Sequence, residues 1–253
     1  MADPFESPKR QLKRGKRDIA RIEKRFQTFL KQVRHTQLVE LNADGSEYLV
    51  KIRFTKRIPV SVSETAYTAI DALRSALDQV GYSAAIASGK VNPKKTHFPF
   101  GDDAAGLENT ITGHKACKDI PAEIVALFRS FQPYKGGNDA LWALNKLRHS
   151  FHTAIIPTNI HTGGMHIEWA KISGPSKIFL PRYDADKNEI IIASLGTDGK
   201  FEYKGRLALT ISFDTIELLE GAPIFDVLRA MAAEVERVLV ATEAECRRIG
   251  FIT

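Results

Sequence analysis

Asn145, Arg148, His149 and His152 occupy positions i, i+3, i+4 and i+7 of the segment LWALNKLRHSFHT, residues 141–153. In a helix that advances about 100° per residue, this spacing lines them along one stripe. An imidazole titrates near neutral pH and exchanges protons there, whereas a guanidinium keeps its charge and suits the oxygens of a phosphate. Two imidazoles, a guanidinium and an amide on one face could therefore bind an anion or move a proton. Leu144, Leu147 and Phe151 form the apolar side of the same helix, so the polar stripe borders the core, where partial desolvation shifts proton affinities. The same groups would equally serve as a structural network, bonded to loop carbonyls and to carboxylates of a neighbouring helix.

A second polar stripe, Asp71, Arg74 and Asp78, has the spacing i, i+3 and i+7. Arg74 and Asp78 are an i,i+4 ion pair. Packing of the two helices would bring Asp71 or Asp78 to Arg148 or His149, and a carboxylate beside an imidazole orients it and favours its charged form. That would be a composite site, with Arg148, His149 and His152 beside Asn145 and Asp78, or equally a buried structural network. Four of the seven histidines, His149, His152, His161 and His166, fall within 18 residues, but the spacing matches no standard zinc motif; no metal and no cofactor is expected. Lys135-Gly136-Gly137-Asn138 precedes a helix without the full glycine-rich phosphate fingerprint. Phe98-Pro99-Phe100 and Phe131-Gln132-Pro133-Tyr134 read as aromatic-proline turns, suited to stacking a ring or packing a loop on the core.

The elements that must position these residues follow from periodicity. Ile19, Ile22, Phe26, Phe29, Leu30 and Val33 predict a helix over 17–34, and Ala66, Ile70, Leu73, Leu77 and Val80 predict a long one over 63–88, opened by Ser61 and Glu64 as a capping box. Between them, Leu38–Leu41 and Tyr48–Phe54 read as strands around an Asp-Gly turn. Residues 90–120 read as a long loop, followed by a short helix from Pro121 to about Arg129. Asn138 is placed to cap the 138–154 helix. From Ile155 to Phe213 the period changes to two and predicts an antiparallel meander; a final helix spans 223–248. Helices grouped before strands predict an α+β fold, a helical layer packed with an antiparallel β-sheet.

The chain has 253 residues, 43% hydrophobic and 26% charged, which is ordinary globular composition. No apolar run approaches the ~18 residues of a membrane span, so no membrane partner is expected, and Met1–Arg17 lacks the apolar core of a secretory signal. Cys117 and Cys246 are the two cysteines; they indicate no disulfide framework, and a cytoplasmic location is expected. The net charge of +6 is concentrated: residues 9–25 hold nine Lys or Arg against Asp18 and Glu23, leaving 27 basic and 28 acidic residues elsewhere. The reading is a flexible basic tail over 1–15 and a single α+β domain over 16–253. Lys13, Arg14, Lys16 and Arg17 are the expected nucleic-acid contacts.

Taken together and in order, LRSALD (73–78), HFPF (97–100), FQPY (131–134) and LWALNKLRH (141–149) resemble a family of uncharacterised bacterial and phage-associated proteins over about residues 65–155. That family typically has an acidic-Lys-His-Arg cluster after the Leu-Asn pair; here the chain reads Arg148-His149-Ser150-Phe151-His152. A weaker resemblance is to the HEPN superfamily, helical domains often found as ribonuclease toxins and defence proteins, whose hallmark is an Arg followed after four to six residues by a His. Arg148 and His152 have three residues between them. The resemblance implies a metal-independent endoribonuclease in phage defence, with Arg148 on the phosphate, His152 or His149 as acid–base, and Asn145 and Asp78 holding the geometry. The alternative from a different class is a non-catalytic nucleic-acid- or protein-binding module contacting its partner through the basic N-terminal segment; a homodimer is compatible with either. A metallohydrolase built on the histidines is a third reading.

Overall fold

The longest amphipathic pattern in the chain makes its first helix. Just before and along α1 (Glu6–Gln32), Phe5, Pro8, Leu12, Gly15, Ile19, Ile22, Phe26 and Phe29 are buried at spacings that alternate between three and four, which keeps them on one stripe, and Asp18 is buried beside them. Lysines and arginines fill the outward positions. The structure, a computed structural model, describes residues 3–151, 158–184, 186–213, 219 and 221–253, with the side chains at 151, 158–167, 170, 179–182 and 205–208 left outside that description.

The expected flexible tail over 1–15 is thereby corrected. Phe5 is 0% exposed and Leu12 is buried, and Lys9 pairs with Asp3 and with Glu243, each at 2.8 Å. The apolar stripe begins at Phe5, but Pro8 and Gly15 interrupt it in sequence, and these are the residues that normally end a helical pattern. Pro8 sits in the first turn, where its missing N–H costs nothing. At Gly15, a Cβ would stand 2.8 Å from Leu73 Cδ2, so glycine lets α1 approach the next long helix closely.

Two compact units replace the single expected domain: Met1–Glu23 with Ser63–Ile156 and Phe225–Thr253, and Lys24–Val62 with Pro157–Ile224. The first is helical. It contains most of α1, α2 (Val60–Ala87), α3 (Ala104–Glu108) with a single π-helical turn after it, α4 (Ala122–Ser130), α5 (Asp139–Phe151) and α6 (Ile224–Arg248). Its core is built from Leu12, Ile19, Ile70, Leu73, Leu77, Phe98, Phe128, Leu141, Leu144, Leu228 and Val235. Helix α2 runs through the middle, and Gly81 lets the 93–99 segment lie on it, since a Cβ there would stand 2.3 Å from the Thr96 carbonyl oxygen.

The second unit carries the strands. β1 (His35–Leu41) pairs antiparallel with β2 (Tyr48–Phe54), β2 with β5 (Glu189–Leu195), and β5 with β4 (Ser176–Asp184), giving the order β1-β2-β5-β4. The long strands β3 (Thr158–Ser173) and β6 (Lys200–Phe213) form a separate antiparallel pair. The chain is thus α+β, as the pattern predicts, but the meander is only partly realised: β4 and β5 are a hairpin, while β3 skips over both to reach β6. Val50, Ile52, Phe54, Ile190, Ile192 and Leu195 form the core against the four-stranded sheet.

Candidate functional site

The four segments LRSALD, HFPF, FQPY and LWALNKLRH all lie in the helical unit, and Arg74 joins three of them. Its side chain leaves α2 for a buried position. Nη1 lies 2.7 Å from Asp78 Oδ1, Nε donates to Asn145 Oδ1 on α5 at 3.1 Å, and the guanidinium lies 4.5 Å from the centre of the Phe100 ring. Asp78 in turn accepts the Phe98 amide at 3.1 Å, which ties HFPF to α2. The Gly101 amide donates to the Pro133 carbonyl at 3.2 Å, which ties HFPF to FQPY. A buried arginine needs its donors occupied; Nε has Asn145 and the guanidinium packs on Phe100, whereas Nη1, close to Asp78, makes no hydrogen bond among the described residues.

Asn145 and Asp78 therefore come together as the sequence suggests, but through Arg74, a residue the sequence reading treated only as one half of an i,i+4 pair. The signal available was the position of Arg74 inside the first of the four segments. Arg148 lies one turn further along α5, and its Nε is 3.3 Å from Asp71 Oδ1. Its side chain is 31% exposed, so it is held by a carboxylate at the edge of the core while still reaching solvent. His149, the next residue, is exposed. His152 lies outside the described residues, as do the side chains of His161 and His166. Among the described residues no group of three His, Cys, Asp or Glu is placed to hold a metal ion.

Helix α5 is started by Asn138, whose Oδ1 accepts the Leu141 amide at 3.0 Å while its Nδ2 donates to Glu234 on α6 at 2.6 Å. Next to the junction, the loop and short helix after HFPF border an open cavity of about 570 Å³ lined by Phe100, Gly101, Asp102, Asp103, Gly106 and Asn145, among others. Asp103 caps α3 by accepting the Gly106 amide at 2.7 Å. Lys146 sits 2.6 Å from Asp102, and its hydrogen bond holds the Asp102 carboxyl below the usual carboxylate range. The cysteines take no part: burial pushes the Cys117 and Cys246 thiols up to about 11.

The predicted basic contacts are on α1. Lys13, Arg14, Lys16 and Arg17 are all exposed. Lys16 is 2.7 Å from Glu236 of α6. Arg14, Arg17 and Arg21 surround Asp18 at 3.9, 3.5 and 3.3 Å. That carboxylate is 2% exposed, so three guanidinium groups at the surface share one buried counter-charge. Among the described residues no helix is long and apolar enough to cross a membrane. Comparisons with protein-family models, with curated proteins and with solved structures find no match.

Proposed function

We propose that this chain binds nucleic acid through the basic face of α1. The observation that carries the reading is the set Arg14, Arg17 and Arg21 around Asp18: one carboxylate leaves an excess of two positive charges, and Lys13 adds a third on the same exposed helix. A rigid helix presents these charges at fixed spacing, which lowers the ordering cost of binding a polyanion compared with a flexible tail. Phosphate contacts of this kind release counterions, so affinity for a single strand falls with a log–log salt slope of about 0.7 per phosphate neutralised. The test is a salt titration of RNA binding by fluorescence anisotropy with the parent chain and Lys13→Gln/Arg17→Gln. That pair is chosen because Arg14 and Arg21 stay on Asp18. A slope shallower by roughly 1.4 in the variant is expected; equal slopes, or no RNA binding by the parent, overturn the reading.

A second reading, metal-independent RNA cleavage, is favoured by the position of Arg148. It is anchored by Asp71 yet solvent-accessible, and His149 follows it at the surface of α5. In this reading Arg148 neutralises the phosphate, and His149 with His152 exchanges the protons of the 2′-OH and the leaving 5′-oxygen. Asn145 and Asp78, both bonded to Arg74, act as positioning residues. Cleavage in the presence of EDTA that disappears in Arg148→Ala and His152→Ala, with RNA binding retained by His152→Ala, supports it. Equal cleavage by all three chains, or none by any, removes it.

A further inference from the structure

The two edges of the sheet β1-β2-β5-β4 are built differently. A free edge invites pairing with another chain, and folds usually blunt it with proline, lysine or a bulge. β4 has such devices: Pro181 lies within it, and its register with β5 shifts between Ile178 and Arg182. β1, with the sequence HTQLVEL, contains neither proline nor lysine, and all of it pairs with β2 in unbroken register. Its one carboxylate, Glu40, is met by Lys51 at 2.9 Å and Arg53 at 3.2 Å on β2.

The hydrogen bonds that frame the β1-β2 pair identify the backbone groups left over. The Thr55 amide donates to the Arg34 carbonyl at 2.9 Å, and the Asn42 amide to the Glu47 carbonyl at 2.8 Å. Antiparallel partners alternate between hydrogen-bonded and non-hydrogen-bonded pairs, so the even-numbered residues from Arg34 to Asn42 bond to β2. The N–H and C=O groups of His35, Gln37, Val39 and Leu41 therefore point away from it, and among the described residues no other strand pairs with this edge. In the same register Val39 and Leu41 stand opposite Val50 and Tyr48, on the face whose core contains Val50, Ile52 and Phe54. They are nonetheless 48% and 51% exposed. A backbone ladder and the margin of an apolar face are thus open at the same place.

We propose that β1 pairs antiparallel with β1 of a second copy of this chain, about a two-fold axis through Leu38, joining two four-stranded sheets into one. The strand is its own complement in that register. His35 faces the partner's Leu41, Gln37 faces the partner's Val39, and Leu38 faces the partner's Leu38. The odd-numbered pairs are the hydrogen-bonded ones, so every outward N–H and C=O of both strands finds a partner. The axis is perpendicular to the sheet, which keeps Val39 and Leu41 of both copies on one face and continues the apolar surface across the junction. On the other face Arg34, exposed, lies one diagonal step from the partner's Glu40, within reach of a long side chain. This pairing is independent of RNA binding and of cleavage.

The experiment is sedimentation velocity of the full chain over a concentration series, with two variants that leave the bonds to β2 in place. Gln37→Pro removes one outward N–H at a position where an edge strand accepts proline. Val39→Lys adds an edge lysine at a half-exposed position, diagonal to the same lysine in the partner. Thermal midpoints of both variants check that they fold. The parent is expected to form a reversible dimer, and each variant to weaken it about tenfold or more. Register is read separately with Leu38→Cys, which under mild oxidation should close a disulfide between copies, because directly opposed residues have Cβ atoms about 4.5–5.5 Å apart. Thr36→Cys, which would face the partner's Glu40, should not cross-link, and the native Cys117 and Cys246 are buried. A parent that stays monomeric at every concentration overturns the proposal and leaves the edge to an extended segment of another protein. A dimer that both variants leave unchanged, or that cross-links through Thr36→Cys but not through Leu38→Cys, overturns it as well.

Discussion

Replacing Arg74 by methionine should destabilise the helical unit by about 3 kcal/mol. The substitution keeps the apolar stem that passes through the core and removes the guanidinium. Lost with it are the hydrogen bond to Asn145 Oδ1, the contact with Asp78 and the stacking on Phe100. Breaking a buried ion pair by removing one partner typically costs about 3–5 kcal/mol, and a cation over an aromatic ring contributes about 0.5–2. The lower end applies here because the Asp78 side chain is 32% exposed and keeps the Phe98 amide, so water and one donor still stabilise the abandoned carboxylate.

The sign of the coupling is as informative as the size of the loss. Asp78→Asn removes the charge but leaves an acceptor for Phe98, and in the Arg74→Met background it should cost about 1–2 kcal/mol less than it does in the parent. The assay is urea unfolding followed by Trp142 fluorescence in a Trp169→Phe background. Trp142 is on α5 in the helical unit and Trp169 is on β3 in the other, so the signal reports one unit alone. A loss below about 1 kcal/mol for Arg74→Met, or strictly additive costs, would refute the idea that Arg74 holds α2, HFPF and α5 together.

Two further outcomes follow from burial. Phe5→Ala should cost about 3–5 kcal/mol, and deletion of residues 1–15 should cost more; a thermal midpoint unchanged by either would restore the flexible-tail reading of the N-terminus. For the cysteines, both thiols should resist a thiol reagent at pH 8 in the native protein and both react once it is unfolded in urea. Their folded values are raised from 9.0 to about 11, so the folded state holds more protons than the unfolded one between these limits. Stability from this source is complete below about pH 9 and falls as pH rises towards 11; Cys117→Ala/Cys246→Ala should flatten that alkaline loss, and an unchanged alkaline profile would contradict the assignment.

Much of the helical layer was legible because burial imposes a period. The 63–88 and 223–248 readings differ from α2 and α6 by a few residues at their ends, the 138–154 reading matches α5 to within one residue at its start with 152–154 outside the described residues, and Asn138 caps α5 as its type suggests. The start of α1 was not, because Pro8 and Gly15 look like breakers until the surfaces they pack against are known. The pairing of β3 with β6 was not legible either: alternation identifies strands but carries no information about which distant strand completes the ladder. The cavity was hidden for a related reason, since it depends on Phe100, Gly101, Gly106 and Asn145, brought together from positions more than 40 apart.

The two arginines of the polar region now separate by chemistry rather than by motif. Arg74 is buried and its donors face a carboxylate, an amide and a ring, so a substrate phosphate would have to displace partners that hold the fold. Among the described residues Arg148 pairs with Asp71, and its side chain is 31% exposed, so an incoming phosphate can share its guanidinium without unfolding anything. If Arg148 contacts a phosphate, Arg148→Gln should weaken RNA binding with a stability change within about 0.5–1 kcal/mol, the range of an exposed ion pair. Arg74→Met should do the reverse and lower stability at constant affinity per folded molecule. Reversal of these two signatures would place the anion at Arg74 and leave Arg148 as the structural residue.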